Sequence, residues 1–163
     1  MQIELKRISK KAIPEAVQKA KRYRLINEPA LAESICLDIL AIEPTHQDAV
    51  ITLLLAITDQ FRDGVSPERA KELLPLIQGE YCREYFTGVT WERAALAMLR
   101  RAPAKSHAPA HEALSEAMRH FERAERVRPS GNDDAILRWN TCARVLMNGS
   151  AVQMHAEEEP API

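Results

Sequence analysis

The chain has 163 residues, 46% of them hydrophobic and 28% charged, with a net charge of −1. That length supports one domain with its own core, the hydrophobic and charged fractions exclude a disordered chain, and the near-zero charge excludes a global field that recruits nucleic acid or membrane. With 24 Ala, 5 Gly and only 5% aromatics, the balance favours helices over an all-β sandwich.

The N-terminus, MQIELKRISKKAIP, is charged and lacks the apolar stretch of a secretory signal,. Pro14 then opens a helix over EAVQKAKRYRLI, with Val17, Ala20, Lys21 and Arg24 on one side and Tyr23 and Ile26 adjoining,. Pro29 opens a second run, in which Leu31, Ile35, Ile39 and Ile42 recur at helical spacing, and Pro44 closes it,. Thr45, with Asp48 three residues on, predicts a capping box for a third run,. That run, QDAVITLLLAITDQF, is apolar on nearly every face, which predicts the most buried helix. Asp63-Gly64 stops it.

Ser66-Pro67-Glu68 restarts a helix that Pro75 and Gly79 shorten,. The pattern then predicts one long helix over 80–101 with Gly88 at a close packing point. Residues 102–110, APAKSHAPA, read as a loop, followed by a helix from His111 that ends before Pro129. Asn132 is placed to cap the last helix, and Asn148-Gly149 to end it. The expected organisation is a helical domain over 1–149 and a disordered acidic, Pro-containing tail over 150–163. The fold class is all-α, with about seven helices.

Charge is uneven along the chain. Residues 1–24 hold eight Lys or Arg against two Glu, and residues 25–68 hold eight acids against Arg62 alone. Either the two segments pair internally, or the first presents a basic surface to an acidic partner.

Catalytic and metal chemistry find little anchorage. Cys36, Cys82 and Cys142 are odd in number and lack a C-x-x-C pair, which fits reduced thiols in helix interfaces and a cytoplasmic setting,. His107 and His111 are separated by Pro109, which argues against a shared helical face, and the histidines read as surface residues. No Gly-rich phosphate loop, G-x-S-x-G or H-E-x-x-H occurs,. The expectation is no enzyme, no metal and no cofactor. The polar stretch Asn132, Asp133, Asp134, Arg138 and Asn140 reads as a cap and acidic first turn, except for Asn140, which invites a binding role.

Two segments align at their prolines: Ala32, Cys36, Ile39 and Pro44 lie over Ala117, Phe121, Ala124 and Pro129. This spacing resembles the second helix of a tetratricopeptide repeat, with a small residue at a close helix crossing and a larger one filling the gap beneath. Ala20 with Tyr23, and Gly88 with Trp91, are similar to the small and aromatic pair of the first helix. The segment GNDDAILRWNTCARVL is similar to segments of bacterial repeat proteins. The resemblance covers roughly residues 12–147 and is weakest over 64–110.

The resemblance implies an α-solenoid of helix pairs with a terminal capping helix, acting as a scaffold that holds a protein or peptide segment in a groove lined by first helices. Carried over by register, the groove residues are Lys21, Arg24, Leu55, Thr58, Tyr85, Val89, Asn140 and Arg144, a mixture suited to an acidic and apolar segment. The Lys and Asn set of carboxylate-clamp repeats is not reproduced. A small secretion-type chaperone, an oligomeric assembly protein and nucleic-acid binding through residues 6–24 are the other readings. Only Tyr23 is available there to stack on a base, which leaves nucleic acid unlikely.

Overall fold

Among the described residues, four of the seven α-helices carry proline in their first turn, where its missing N–H costs nothing and its fixed φ suits the helix,. The computed structural model describes residues 3–103 and 106–157, the side chains of 150–157 excepted. All regular structure among the described residues is helical, with no strand. No helix there is long and apolar enough to cross a membrane. The chain divides into two compact units, 1–79 and 80–163. The division falls inside the span 1–149 that reads as one helical domain in the sequence.

The first unit holds α1 (Ile13–Leu25), α2 (Pro29–Leu40), α3 (Gln47–Asp59) and the short α4 (Pro67–Lys71). Helix α2 packs on both α1 and α3. Ile13 and Val17 of α1, Ile39 of α2 and Ala49 of α3 form the core, with Ile8, Ile35 and Ile42 packed against it. Eight of the thirteen residues of α3 are buried, as its all-round apolar pattern predicts,. In α2 the buried face is Ala32, Cys36 and Ile39, and Leu31 is turned out at 47% exposure. Of the stripe expected through Leu31, Ile35, Ile39 and Ile42, only Leu31 faces away from the core, and the small residues Ala32 and Cys36 widen the inner side.

Two features differ from expectation, and the stop at Gly64 follows it. His46, and not Thr45, caps α3, its Nδ1 accepting from Ala49 N–H at 3.3 Å. Ser66 does cap α4, but α4 ends at Lys71, and a separate 3-10 turn spans Leu74–Leu76. Between α3 and α4, a 3-10 turn over Phe61–Asp63 ends on Gly64 at φ 98°, where a residue with a Cβ is strained,.

The second unit holds α5 (Glu80–Arg101), α6 (Ala108–Arg126) and α7 (Asp134–Glu157). Helix α5 runs unbroken through Gly88 and packs along α6, which in turn packs on α7. A Cβ built on Gly88 would stand 2.6 Å from Cε1 of Phe121, so the absence of a side chain there lets the fully buried ring in. Ala117, Phe121 and Ala124 of α6 are all fully buried. Helix α6 begins at Ala108 with Pro109 in its first turn, so the expected loop over 102–110 is shorter by its last three residues. Helix α7 does not stop at Asn148-Gly149 but continues to Glu157. The expected tail over 150–163 therefore begins as helix, and its residues 158–163 lie outside the described ones.

Candidate binding surface

The cations expected to line a groove in the first unit are engaged with α3. Lys21 Nζ lies 2.8 Å from Asp48 Oδ2. Arg24 grips both carboxylate oxygens of Asp59, Nε to Oδ2 at 2.7 Å and Nη2 to Oδ1 at 3.3 Å, with both side chains only about one-fifth exposed. Lys10 adds a pair with Glu43 at 3.4 Å. At these positions the basic first segment and the acidic second one pair internally. Leu55 is half-buried. Thr58 is 3% exposed and donates its hydroxyl to Leu55 O, which makes it a core residue and not a groove contact.

Of the residues expected from the second unit, Val89 is fully buried and cannot touch a partner. Tyr85 is half-buried in a network that ties α5 to α7. Its ring stacks on Tyr81 at 5.7 Å and meets Phe121 at 6.0 Å, while its hydroxyl accepts from Arg138 Nε at 3.3 Å. Arg138 also donates to Glu92, which is 3% exposed. Burial opposes the Arg138 charge, but Glu92 and Tyr85 outweigh it and hold the guanidinium above its ordinary value,. Tyr81 donates to Asn132 Oδ1 at 3.1 Å, and the same oxygen accepts from Asp134 N–H at the start of α7. Burial, with the Asp134 carboxylate adding to it, pushes the Tyr81 phenol up. Asn140 is half-buried and Arg144 is exposed.

The role of Arg138 was hidden in the sequence, because its partners Tyr85 and Glu92 are 53 and 46 residues away. Asn132 was legible as a cap, but its second bond to Tyr81 was not.

His107, His111 and His120 are not simple surface residues. His120 places Nδ1 2.7 Å from Glu84 Oε2, and Arg123 Nε donates to the same oxygen at 3.0 Å. Burial alone would raise the Glu84 carboxyl, but the hydrogen bonds from His120 and Arg123 prevail and hold it below its ordinary value,. Pro109 does not part His107 from His111. In the first turn it leaves the helix intact, and the two rings meet edge-on at 6.2 Å,. Among the described residues no group of three or more His, Cys, Asp or Glu converges to hold a metal.

The thiols fall into two kinds. Cys36 and Cys142 are buried, and burial pushes both up to about 12, so neither supplies a thiolate near neutral pH,. Cys82 is half-buried.

Open cavities lie on both units. One of about 430 Å³ is lined by Lys19, Arg22, Tyr23, Leu25 and Ile26 at the end of α1. Another, of about 680 Å³, runs between α5 and α6 past Trp91, Met98, His111 and Arg119. Tyr23 and Ile26, which adjoin the inner stripe of α1 in the sequence pattern, thus belong to its outer surface. The overlap of that surface with apolar side chains is what sequence periodicity missed. No family model matches this chain, and no curated protein or solved structure does either.

Proposed function

We propose that the chain is a non-enzymatic protein-binding module built from helix pairs of the tetratricopeptide-repeat kind, holding a partner's peptide segment on the surfaces of its helices. One observation carries the reading. Six of the eight residues aligned by the repeat spacing, Ala32, Cys36 and Ile39 in one unit and Ala117, Phe121 and Ala124 in the other, are at most 1% exposed, while the two helix-ending prolines are exposed. Repeat spacing of this kind exists to seat one helix closely on another, and fully buried small residues at the aligned places support it. The approach of Phe121 to Gly88 supports the same packing. The two buried, protonated thiols favour a non-catalytic reading of the cysteines.

Of the groove residues, Leu55, Tyr85, Asn140 and Arg144 retain accessible surface and are assigned to the partner, whereas Lys21 and Arg24, also part-exposed, are already paired with Asp48 and Asp59. The test starts with capture of partners from the native host, followed by calorimetry with the purified partner. Arg144→Glu and Leu55→Glu should each weaken binding, and Arg144→Glu should do so most at low salt. A protein that captures nothing saturably, or a partner indifferent to all four positions, rejects the reading in whole or in its residues.

A further inference from the structure

We infer that the C-terminal end of α1 is a preformed ledge that docks a peptide segment carrying acidic side chains beside apolar ones. The inference rests on the binding-module reading but places contact outside the groove residues. Leu25 is 84% exposed and Ile26 66%, side by side at the end of a helix. Isolated apolar side chains on a surface need no explanation, but here two adjacent ones and Tyr23 line one cavity,.

This end of α1 is not fraying. Glu28 N–H donates to Tyr23 O at 2.8 Å and Asn27 N–H to Arg24 O at 3.0 Å. Asn27 takes the left-handed conformation at φ 61°. Together these make a complete Schellman closure, with asparagine at the one position where a left-handed residue is required. The backbone that carries Leu25 and Ile26 is thus fixed before a partner arrives, which removes part of the ordering cost of binding.

Charge selects the occupant. Helix α1 sorts its cations: Lys21 and Arg24 turn to α3 and are neutralised by Asp48 and Asp59, while Lys19 and Arg22 line the cavity. Arg22 approaches Glu15 only at 4.0 Å, with both side chains 71% exposed, so solvent screens the pair and the cation keeps its field,. A second copy meeting this face with its own would set Lys19 and Arg22 against their counterparts, which like charge opposes. A bilayer asks for a polybasic cluster or a broad inserted face, and two cations beside a small apolar patch supply neither. An extended segment with a carboxylate for Arg22 or Lys19 and apolar side chains for Tyr23, Leu25 and Ile26 satisfies both halves of the site.

The test uses the full chain and a fluorescein-labelled synthetic peptide of alternating Glu and Leu, interrupted by Pro. Fluorescence anisotropy should show saturable binding that weakens with salt. Lys19→Glu with Arg22→Glu, and separately Leu25→Ser with Ile26→Ser, should each lower affinity by about tenfold or more. Lys19, Arg22, Leu25 and Ile26 are all exposed, and circular dichroism of each variant checks that the helices persist. The same peptide with Lys in place of Glu should not bind. Absence of saturable binding, an affinity in either double variant equal to that of the unaltered chain, or preference for the Lys peptide or for phosphatidylserine vesicles overturns the ledge. A captured partner weakened by Arg144→Glu but unaffected by both α1 variants also overturns it, and leaves the binding-module reading standing.

Discussion

Gly88 and Phe121 show how one missing methyl group sets a helix crossing. In a helix, Gly→Ala ordinarily gains about 1 kcal/mol of propensity. Here the new Cβ would meet the Phe121 ring at 2.6 Å to 3.0 Å, and the ring is fully buried and has no solvent to retreat into. Overpacking of this kind costs about 1–3 kcal/mol, so Gly88→Ala should lower the denaturation midpoint despite its propensity. Adding Phe121→Leu should recover part of the loss relative to Phe121→Leu alone, and a double-mutant cycle reads the coupling. An unchanged midpoint in Gly88→Ala would mean that the helices do not cross there. Ala117→Leu, also at a fully buried position, should cost about as much,.

The thiols give a second prediction at this scale. Cys36 and Cys142 are pushed up from an ordinary value of 9.0 to about 12 by burial. The folded chain therefore keeps protons that the unfolded chain releases, so both thiols leave stability untouched below pH 9.0 and subtract from it as pH rises toward about 12,. Urea midpoints should fall less with rising pH in Cys36→Ala with Cys142→Ala than in the natural chain. A maleimide should also modify half-buried Cys82 before either buried thiol, as peptide mass spectrometry would show,.

At the scale of elements, local chemistry was readable and distant pairing was not. Proline in the first turn, the Ser66 cap and the apolar wealth of α3 are properties of adjacent residues, and the structure follows them. The small positions Ala32 and Ala117 were legible for the same reason, since size at a fixed spacing decides how near a helix can come,. His46 as a cap was not legible, because a histidine seldom takes that role and Thr45 offers the commoner chemistry,. Nor were the partners of Lys21 and Arg24, which lie 27 and 35 residues along the chain. That is why groove cations were expected where an α1–α3 clasp exists. The clasp itself is testable. Arg24 donates twice to Asp59 in a largely sheltered place, so Asp59→Ala leaves the guanidinium without its partner and should cost about 1–3 kcal/mol,. Asp48→Ala, whose pair with Lys21 is about half exposed, should cost about 0–1 kcal/mol,. Equal losses in urea titrations would show that burial does not separate the two pairs.

At the scale of the molecule, the question is whether each unit carries enough core to stand alone. Unit 1–79 closes around Ile13, Val17, Ile39 and Ala49, with α3 as its buried centre. Unit 80–163 has Val89, Leu114, Phe121 and Cys142, all fully buried, and its long α5 lies along α6. Chains of this length bury only about 60% of their unfolded surface, and a core of this size supplies roughly 3–5 kcal/mol at most. Their contacts favour self-sufficiency all the same, since helices packed on sequence neighbours close short loops and fold with little entropy to overcome. The expectation is that fragments 1–79 and 80–163, expressed separately, each give a helical circular dichroism spectrum and a cooperative urea transition. Each transition should be shallower than that of the whole chain, because the slope follows the surface exposed on unfolding. If either fragment is a coil, its core depends on the other half of the chain, and the two units are one cooperative structure.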